Sequence, residues 1–587
     1  MTIRIGGASG FWGDADLALP QLLTENLDYI VFDYLAEITM SILARQRASD
    51  PDLGYARDFV AVVARDLETL AAKGVKLVSN AGGTNPQACA EALRKAIASQ
   101  GLDLKVGVVT GDDLMGDLHR IATEEMFTGK SFPDPASIQS ANAYLGAFPI
   151  AKALAIGADI VVTGRCVDSA VTLGPLIHEF GWKADDLDLL AQGSLAGHIN
   201  ECGTQVTGGN FTDWRDQDFA DIGYPIVECE ADGSFVTTKV AGTGGRVTRA
   251  TVGEQLLYEI GDPGAYYLPD VVCDFTQVEI EEVGENRVRV TGAKGLAVPA
   301  QYKASITYSD GYKLSTLFFM VGEDAREKVS VFCEAALKRT QRKLEQTNLG
   351  DFTEVHIEVM GAESHYGDFA MSDHSRELTF KIAVKHPEAK ACSLLLKEAT
   401  GLALSAPPGL ALYTGGRPKP QEVTRLFNAL VDKSVPDVRV DVEDDTIGFD
   451  PVGGTTNFAP PRHDGPAAPT DASVEVPLHR LAWVRSGDKG DKSNIGVLAR
   501  DPTYLPYIWA ALDEAAVRRR FHHFGPSAVE RFHLPEMSAI NYLLHDILGG
   551  GGMASLRNDS QGKAYGQILA ATPIPVSVEI AKSVQVD

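Results

Sequence analysis

The first half of this 587-residue chain repeats one pattern: a short apolar run, a turn rich in glycine and polar residues, and a helix. In one such unit the apolar run 75–78 is followed by a turn at 79–84 and by a helix with Asn85 as its N-cap and Pro86 in its first turn. Short strands that alternate with helices predict a parallel sheet covered by helices. We therefore expect an α/β fold for a large core.

The same pattern locates a binding edge. We expect strands at 2–5, 29–32, 75–78, 105–109 and 160–163, and helices at 57–73, 86–100, 141–156 and 169–180. In parallel sheets ligands bind beyond the carboxyl ends of the strands. The loops that follow these strands are rich in Gly, Asn, Asp, Ser and Thr, and we expect them to meet in one crevice: 6–14, 33–37, 79–84, 110–113 and 164–168.

The chain changes character after residue 224. Alternating stretches at 235–240, 277–290, 305–321 and 353–360 predict a β-rich, partly antiparallel segment, covered by helices at 323–346 and 421–432. The core domain is thus placed at 1–451, and a boundary near residue 224 would divide it into subdomains 1–224 and 225–451.

A small C-terminal domain follows a linker. Residues 452–473 are rich in Pro, Gly, Ala and Thr without periodicity, which is typical of a linker. Residues 474–587 predict a two-layer, ferredoxin-like α+β domain. Its expected strands are 480–484, 495–499, 529–534 and 566–571, and its expected helices are 504–521 and 539–548.

Charge and cysteine content exclude several classes of function. The formal net charge is −26, which argues against a nucleic-acid or anionic-membrane binder. From Val476 to Asp587, 12 basic and 11 acidic residues nearly balance, so the core carries almost all of this charge. The seven cysteines form no CxxC pair, and neither a secretory signal nor an apolar run of membrane-spanning length is present. We expect a cytoplasmic protein with reduced cysteines.

The densest chemical signal is the segment VRSGDKGDKSN at 484–494. Two glycines among alternating charges suit an anion-binding turn, in which backbone N–H groups converge while Arg and Lys supply positive charge. An ordinary solvated hairpin is the alternative. Because the core is acidic, we expect this loop to dock against it and to complete the site, within one chain or across a homo-oligomer interface.

Five motifs together resemble the acyclic terpene utilisation family, AtuA, including its ferredoxin-fold C-terminal domain. They are GGASGFWGD at 6–14, SNAGG at 79–83, VVTGRCVDSA at 161–170, INECGTQVTGGN at 199–210, and the C-terminal segment VRSGDKGDKSN. The resemblance spans nearly the whole chain and implies a role in the catabolism of citronellol and geraniol, which proceeds through branched acyl-CoA esters. It supplies no catalytic residues.

The residues themselves give the candidate site. Asp168 and Glu201 are the candidate acid and base, His198 is an alternative base, and Cys166, between a strand and a helix, is a candidate nucleophile or a buried inert thiol. The expected substrate-binding residues are Ser9, Asp14, Asn80, Gly82, Gly83, Arg165, Asn210, Arg485, Ser486, Asp488, Lys489 and Asn494.

Carboxylates and amides without a cofactor motif point to acid/base chemistry. The first loop lacks the GxGxxG spacing. His198 and Cys202 have the spacing of metal ligands on a helix, but they are only two and no complete ligand set is found, so we expect no redox cofactor and no metal. We therefore predict an acyl-CoA hydratase or lyase, with CoA present only as part of the substrate. A thioester hydrolase and a non-catalytic binding or scaffold subunit are the alternatives. We expect no nucleic-acid or membrane partner, and a homo-oligomer.

Overall fold

The computed structural model describes residues 1–14, 16–372, 374–413, 415–443 and 445–584. Alternation of strands and helices dominates the first part of the chain. Its elements are β1 (Ile3–Gly7), α1 (Ala18–Leu22), β2 (Tyr29–Phe32), α2 (Glu37–Ser49), α3 (Arg57–Lys73), β3 (Lys76–Ser79), α4 (Pro86–Ser99), β4 (Val106–Thr110), β5 (Ile138–Ala143), α5 (Phe148–Ala155), β6 (Ile160–Thr163), α6 (Ala170–Phe180), α7 (Leu187–Asn200), β7 (Pro225–Cys229), β8 (Phe235–Lys239) and α8 (Arg249–Leu257).

Strands prevail in the next part of the core. Its elements are β9 (Tyr266–Tyr267), β10 (Val272–Asp274), β11 (Glu279–Gly284), β12 (Arg287–Thr291), β13 (Lys294–Ala297), β14 (Gln301–Val321), α9 (Ala325–Gln346), β15 (Glu354–Met360), β16 (Glu377–His386), α10 (Ala389–Gly401), β17 (Leu410–Leu412), β18 (Gln421–Asp432), β19 (Arg439–Val442) and β20 (Asp445–Gly448).

The parallel sheet predicted from the sequence is confirmed. Strands β1, β2, β3, β6 and β4 lie in that order and pair in parallel. The register is continuous, with Tyr29 opposite Lys76 and Leu77 opposite Ile160. Helices cover this sheet; α4 begins as predicted, because the Asn85 side chain accepts a hydrogen bond from the Ala88 N–H. The carboxyl ends of the five strands therefore share one edge.

Antiparallel strands extend this sheet on both sides. β7, β8, β12 and β11 continue it beyond β1, while β19 and β20 continue it beyond β4. The sheet thus contains strands from both sides of residue 224, so the possible subdivision at that residue does not coincide with a break in the sheet.

A second sheet has the order β15-β16-β14-β17, with β18 and β5 also paired to the long strand β14. It corrects two predictions. Residues 138–143 form β5, so the helix predicted at 141–156 begins only at Phe148, and residues 421–432 form strand β18 where a helix was predicted. Both segments hydrogen-bond along β14, and this long-range pairing outweighs their local helical pattern.

The C-terminal unit is α+β, as predicted. Its elements are β21 (Val474–Pro477), β22 (Ala482–Lys489), β23 (Lys492–Ala499), α11 (Leu505–Ala511), α12 (Glu514–Arg520), β24 (Val529–Leu534), β25 (Ala539–Leu544), α13 (Tyr565–Ala570), β26 (Pro573–Val576) and α14 (Val578–Val584). Strands β22, β23, β25 and β24 form an antiparallel sheet in that order, and β21 pairs with β26.

Three local predictions for this unit are wrong. The single helix predicted at 504–521 is two short helices, the helix predicted at 539–548 is strand β25, and the strand predicted at 566–571 lies within helix α13. β25 is buried at every position because it lies between β23 and β24. An apolar run buried on both faces has no strand-like alternation, so periodicity cannot distinguish it from a buried helix.

The C-terminal unit is fixed to the core by polar contacts. The Asp213 carboxylate accepts two hydrogen bonds from Arg500, at 2.7 and 2.6 Å, and a third from the Trp483 indole N–H at 2.7 Å. Thr212 hydrogen-bonds both the N–H and the carbonyl of Val484. In the part of the chain that the structure describes, no helix has the length and apolar character needed to cross a membrane.

Candidate functional site

The loops at the carboxyl edge of the parallel sheet meet, as predicted. The Ser9 hydroxyl donates to the carbonyl oxygen of Asp33 at 3.0 Å, and the Asn80 amide donates to the Asp33 carboxylate at 2.5 Å. Asn80 Oδ1 in turn accepts the Tyr34 N–H at 2.7 Å. Ser9 and Asn80, both buried, therefore hold the loop that follows β2.

The glycines of these loops permit close packing. A Cβ on Gly7 would lie 2.4 Å from the Asn200 carbonyl oxygen, and one on Gly82 would lie 2.5 Å from the carbonyl oxygen of Thr163. Gly83 has a φ of +54°, in the left-handed region that favours glycine. Gly82 thus brings the loop after β3 against the end of β6, while Gly83 packs against Leu43 and Gly54, and this packing explains both glycines without a ligand.

Arg165 and Asp168 form an ion pair in the loop that follows β6. The Arg165 guanidinium is 3% exposed, lies 4.1 Å from the Tyr144 ring centroid and donates to the Asp168 carboxylate at 2.5 Å, whereas the Asp168 side chain is 34% exposed. The Asp112 carboxylate accepts the Arg165 backbone N–H at 2.8 Å and so positions this loop. Asp168 is therefore a partly exposed carboxylate that is held by the buried guanidinium of Arg165.

A second ion pair lies beside it. The Tyr144 hydroxyl donates to Glu37 at 2.6 Å, and Lys303 Nζ lies 3.6 Å from the same carboxylate. Burial alone would raise the pKa of Glu37, but Lys303 and Arg165 outweigh it and lower the pKa to about 2. Glu37 is therefore an ionised anchor for these cations.

Asp33 differs from Glu37. Burial raises the pKa of Asp33 well above its ordinary value, and the carboxylates of Asp168 and Glu201 raise it further. Carboxyl groups with opposed pKa shifts thus lie around one crevice, an arrangement typical of acid/base sites.

His198 and Glu201 form a buried pair. His198 Nδ1 lies 3.0 Å from the Glu201 carboxylate, and Nε2 lies 3.2 Å from the carbonyl oxygen of Leu256. Burial lowers the pKa of His198, but the neighbouring Glu201 outweighs burial and raises it. A raised pKa favours the protonated imidazole, which does not suit the general-base role considered for His198.

The C-terminal hairpin enters this crevice. β22 and β23 are joined by the turn Gly490–Asp491, and Lys489 Nζ donates to the Tyr266 hydroxyl at 3.4 Å. Asp488 lies 3.4 Å from Lys563 Nζ, which also lies 3.2 Å from the core residue Glu259. Burial raises the pKa of Asp488 to about 6, and Glu259 adds to the shift. Asp488 and Lys489 are thus brought to the site as predicted.

Three other residues of the C-terminal motif are held in place by hydrogen bonds within the protein. Arg485 donates to the Asn210 carbonyl oxygen at 2.9 Å and to the Gln205 side chain, with its guanidinium 4.7 Å from the Tyr258 ring centroid. Its hydrogen bonds therefore go to neutral oxygens of the core. Ser486 and Asn494 are also buried in hydrogen-bonded positions, and Asn210 offers its backbone oxygen while its side chain is exposed.

Cys166 and Asp14 lie in environments of other kinds. Burial raises the pKa of the Cys166 thiol to about 12, the opposite of what a nucleophilic cysteine requires. The Asp14 carboxylate accepts the Gly10 N–H at 2.9 Å and thus closes the first loop.

Several buried polar atoms of the crevice have no hydrogen-bond partner among the described residues. They are Arg165 Nε, the Ser169 hydroxyl oxygen and both amide atoms of Asn200, which is fully buried. Such atoms are normally satisfied by ordered water or a ligand. Within the described ranges, no group of three or more His, Cys, Asp or Glu side chains is arranged to hold a metal ion.

Sequence reasoning missed several partners of these residues. Tyr144, Tyr266, Glu259, Lys303 and Lys563 lie outside the motifs, and three of them come from segments whose topology the sequence left open. Glu259 has a φ of +57°, an unusual backbone conformation for a non-glycine residue that only coordinates reveal.

Comparison with protein families identifies both parts of the chain. The model described as acyclic terpene utilisation family protein AtuA matches residues 3–442, and the model described as AtuA ferredoxin-like domain matches residues 476–575. No curated protein and no solved structure matches the chain.

Proposed function

The chain belongs to the acyclic terpene utilisation family AtuA, and on this premise we propose that it is an enzyme that adds water to, or eliminates water from, a branched acyl-CoA thioester. Membership implies a role in the use of acyclic terpenes. Degradation of branched terpenoid chains of the citronellol and geraniol type proceeds through CoA esters. A branched enoyl or hydroxyacyl thioester is therefore the substrate class that we propose.

The observation that carries the proposal is the accessible Asp168 carboxylate beside cations from two parts of the chain. Arg165 holds Asp168 from the core, and Lys489 reaches the same crevice from the C-terminal unit, where Asp168 contributes to the raised pKa of Lys489. A carboxylate base next to fixed positive charge suits proton transfer at a carbon activated by a carbonyl group.

In the proposed hydration, Asp168 accepts a proton from water while the water oxygen bonds to the β-carbon of the enoyl thioester. The double-bond electrons move onto the thioester oxygen. Glu201, whose pKa is raised by burial against the opposing effect of His198, then donates a proton to the α-carbon and the carbonyl re-forms. The proton on Asp168 returns to Glu201 through solvent, so one water is added overall; elimination is the reverse.

In this reaction the positive groups of the crevice stabilise negative charge. Negative charge develops on the thioester oxygen in the transition state, and fixed donors in a site with little water stabilise it. Arg165 and Lys489 are the cations best placed for this role, because both are held by neighbouring groups before substrate binds.

The test is turnover with a panel of CoA esters. Purified full-length protein is incubated with branched enoyl-, hydroxyacyl- and saturated acyl-CoAs, and products are separated and weighed by mass spectrometry. Gain or loss of one water, with the thioester intact, supports the proposal. Release of free CoA would instead identify a thioester hydrolase, and binding without conversion would identify a scaffold; either result overturns it.

A variant of Asp168 tests whether this residue is the catalytic base. Asp168→Asn is expected to lower turnover by roughly 100-fold or more, since positioned acid/base groups contribute that order of rate. Asp103→Asn, at an exposed position, is the matched control and should behave as wild type. Equal activity of the two variants would exclude Asp168 as the base.

A further inference from the structure

Tyr266 occupies a position in the crevice that the proposed acid/base residues do not account for. It lies on the short strand β9, which pairs with β10 through Cys273. Its ring centroid lies 5.9 Å from that of His198 and 5.7 Å from that of Phe275, and the residue is partly exposed. The ring of Tyr266 is thus packed between two aromatic side chains, and the residue as a whole is not fully buried.

The hydrogen bond from Lys489 fixes the direction of donation. Lys489 Nζ lies 3.4 Å from the Tyr266 hydroxyl oxygen and 5.1 Å from the ring centroid, and an ammonium group can only donate. The phenol oxygen is therefore the acceptor in this bond. Among the described residues no acceptor for the Tyr266 hydroxyl hydrogen is found within hydrogen-bonding distance, so this hydrogen is free for a ligand.

Electrostatics favour a phenol that stays protonated but donates strongly. Burial raises the pKa of Tyr266 to about 12, and Lys489 opposes this rise. A neutral hydroxyl polarised by an adjacent ammonium group is a stronger hydrogen-bond donor than an isolated one.

The neighbouring tyrosine provides a contrast within the same strand. The Tyr267 hydroxyl donates to the carbonyl oxygen of Gln301 at 2.8 Å, so its hydrogen is already used in the fold. Tyr267 thus has a structural role, whereas the hydroxyl hydrogen of Tyr266 has no acceptor among the described residues.

We propose that Tyr266 is a catalytic residue whose hydroxyl donates a hydrogen bond to the thioester carbonyl oxygen of the substrate and stabilises the negative charge that develops there. This assignment rests on the proposed function for the identity of the ligand, and it adds a neutral donor to the cations already described. Besides its own positive charge, Lys489 contributes by orienting and polarising the Tyr266 hydroxyl.

The experiment uses full-length protein and dimethylacryloyl-CoA labelled with a heavy isotope at the thioester carbonyl. Infrared difference spectra of the bound thioester should show its carbonyl stretch moved to lower frequency in the wild type, and this shift should be lost in Tyr266→Phe. Turnover in Tyr266→Phe should fall by roughly 100-fold with KM changed less than about threefold, as for removal of an oxyanion donor. Tyr267→Phe is the control and should keep both the shift and the turnover.

The outcomes separate the two proposals. If the wild type shifts the carbonyl band but does not add or remove water, the donor role of Tyr266 stands and the proposed reaction fails. If turnover occurs and Tyr266→Phe keeps both the band position and the rate, Tyr266 is not the donor. If Lys489→Met abolishes the shift while Tyr266→Phe does not, the lysine contacts the thioester and the assignment to Tyr266 is overturned.

Discussion

Asn494 joins the C-terminal hairpin to the segment that carries Glu259, and its removal tests how the site is held together. The side chain is fully buried. Its amide donates to the carbonyl oxygen of Leu257 at 2.5 Å and to Asn541 at 3.0 Å, and its oxygen accepts the Glu259 N–H at 2.9 Å. Asn494→Ala removes all three contacts at once.

The expected cost follows from the backbone groups that lose a partner. A buried donor or acceptor without a hydrogen bond costs about 1–3 kcal/mol. Asn494→Ala leaves one carbonyl and one N–H without this partner, so we expect a loss of roughly 2–5 kcal/mol in the free energy of unfolding. Asn494→Asp keeps an acceptor for the Glu259 N–H but cannot donate to Leu257, and it should also be destabilised, because it buries a charge.

The assay is urea denaturation of the full chain, followed by circular dichroism, together with amide hydrogen exchange at Glu259 by mass spectrometry. Exchange at this amide should accelerate in Asn494→Ala, since the hydrogen bond that protects it is gone. Asn26→Ala, at an exposed position, serves as the control. A loss below about 0.5 kcal/mol, the range of ordinary surface substitutions, would refute the reasoning.

Three further predictions concern the core loops. Cys166, with its pKa raised by burial to about 12, should resist alkylation by iodoacetamide at neutral pH in the native protein and react only after unfolding; labelling is read by peptide mass spectrometry. Burial raises the pKa of Asp112 to about 7, so the fold favours its protonated form and the wild type should lose stability as the pH rises toward that value. Between about pH 5 and about pH 8, this loss should reach roughly 2–3 kcal/mol relative to Asp112→Asn. A stability difference between the two proteins that does not change with pH in denaturation experiments would contradict this prediction. Gly164→Ala should destabilise by more than about 2 kcal/mol because its Cβ would lie 2.1 Å from the Asp112 carboxylate, whereas Gly116→Ala, with open space around it, should not; equal melting temperatures would disprove the clash.

The sequence predicted the parallel sheet well because local pattern and tertiary position agree there. Short buried strands such as β2 and β6 match their predicted bounds, and Asn85 caps its helix as expected. The polar loops after these strands could be assigned to one crevice because parallel strands place their carboxyl ends at one edge. This rule needs no knowledge of the rest of the chain.

Prediction failed where pairing partners are distant in sequence. Residues 421–432 form β18 because β14, more than a hundred residues earlier, provides the hydrogen bonds, and β25 is hidden between two strands of its own sheet. The sequence did not predict the partner residues in the crevice for the same reason. Tyr266 and Lys303 reach the crevice on strands whose place in the fold no local pattern indicates.

The placement of Lys489 also has a consequence for how the protein is made. The loops that carry Asp33, Asn80 and Asp168 leave the ribosome well before the hairpin that carries Lys489, since chains emerge from their N-terminal end and fold domain by domain. During translation the nascent core therefore holds the carboxyl groups of Asp33 and Asp168 before Lys489 is present. If the protein has the proposed activity, turnover therefore begins only after the hairpin has docked, and the order of synthesis separates folding of the sheet from completion of the site.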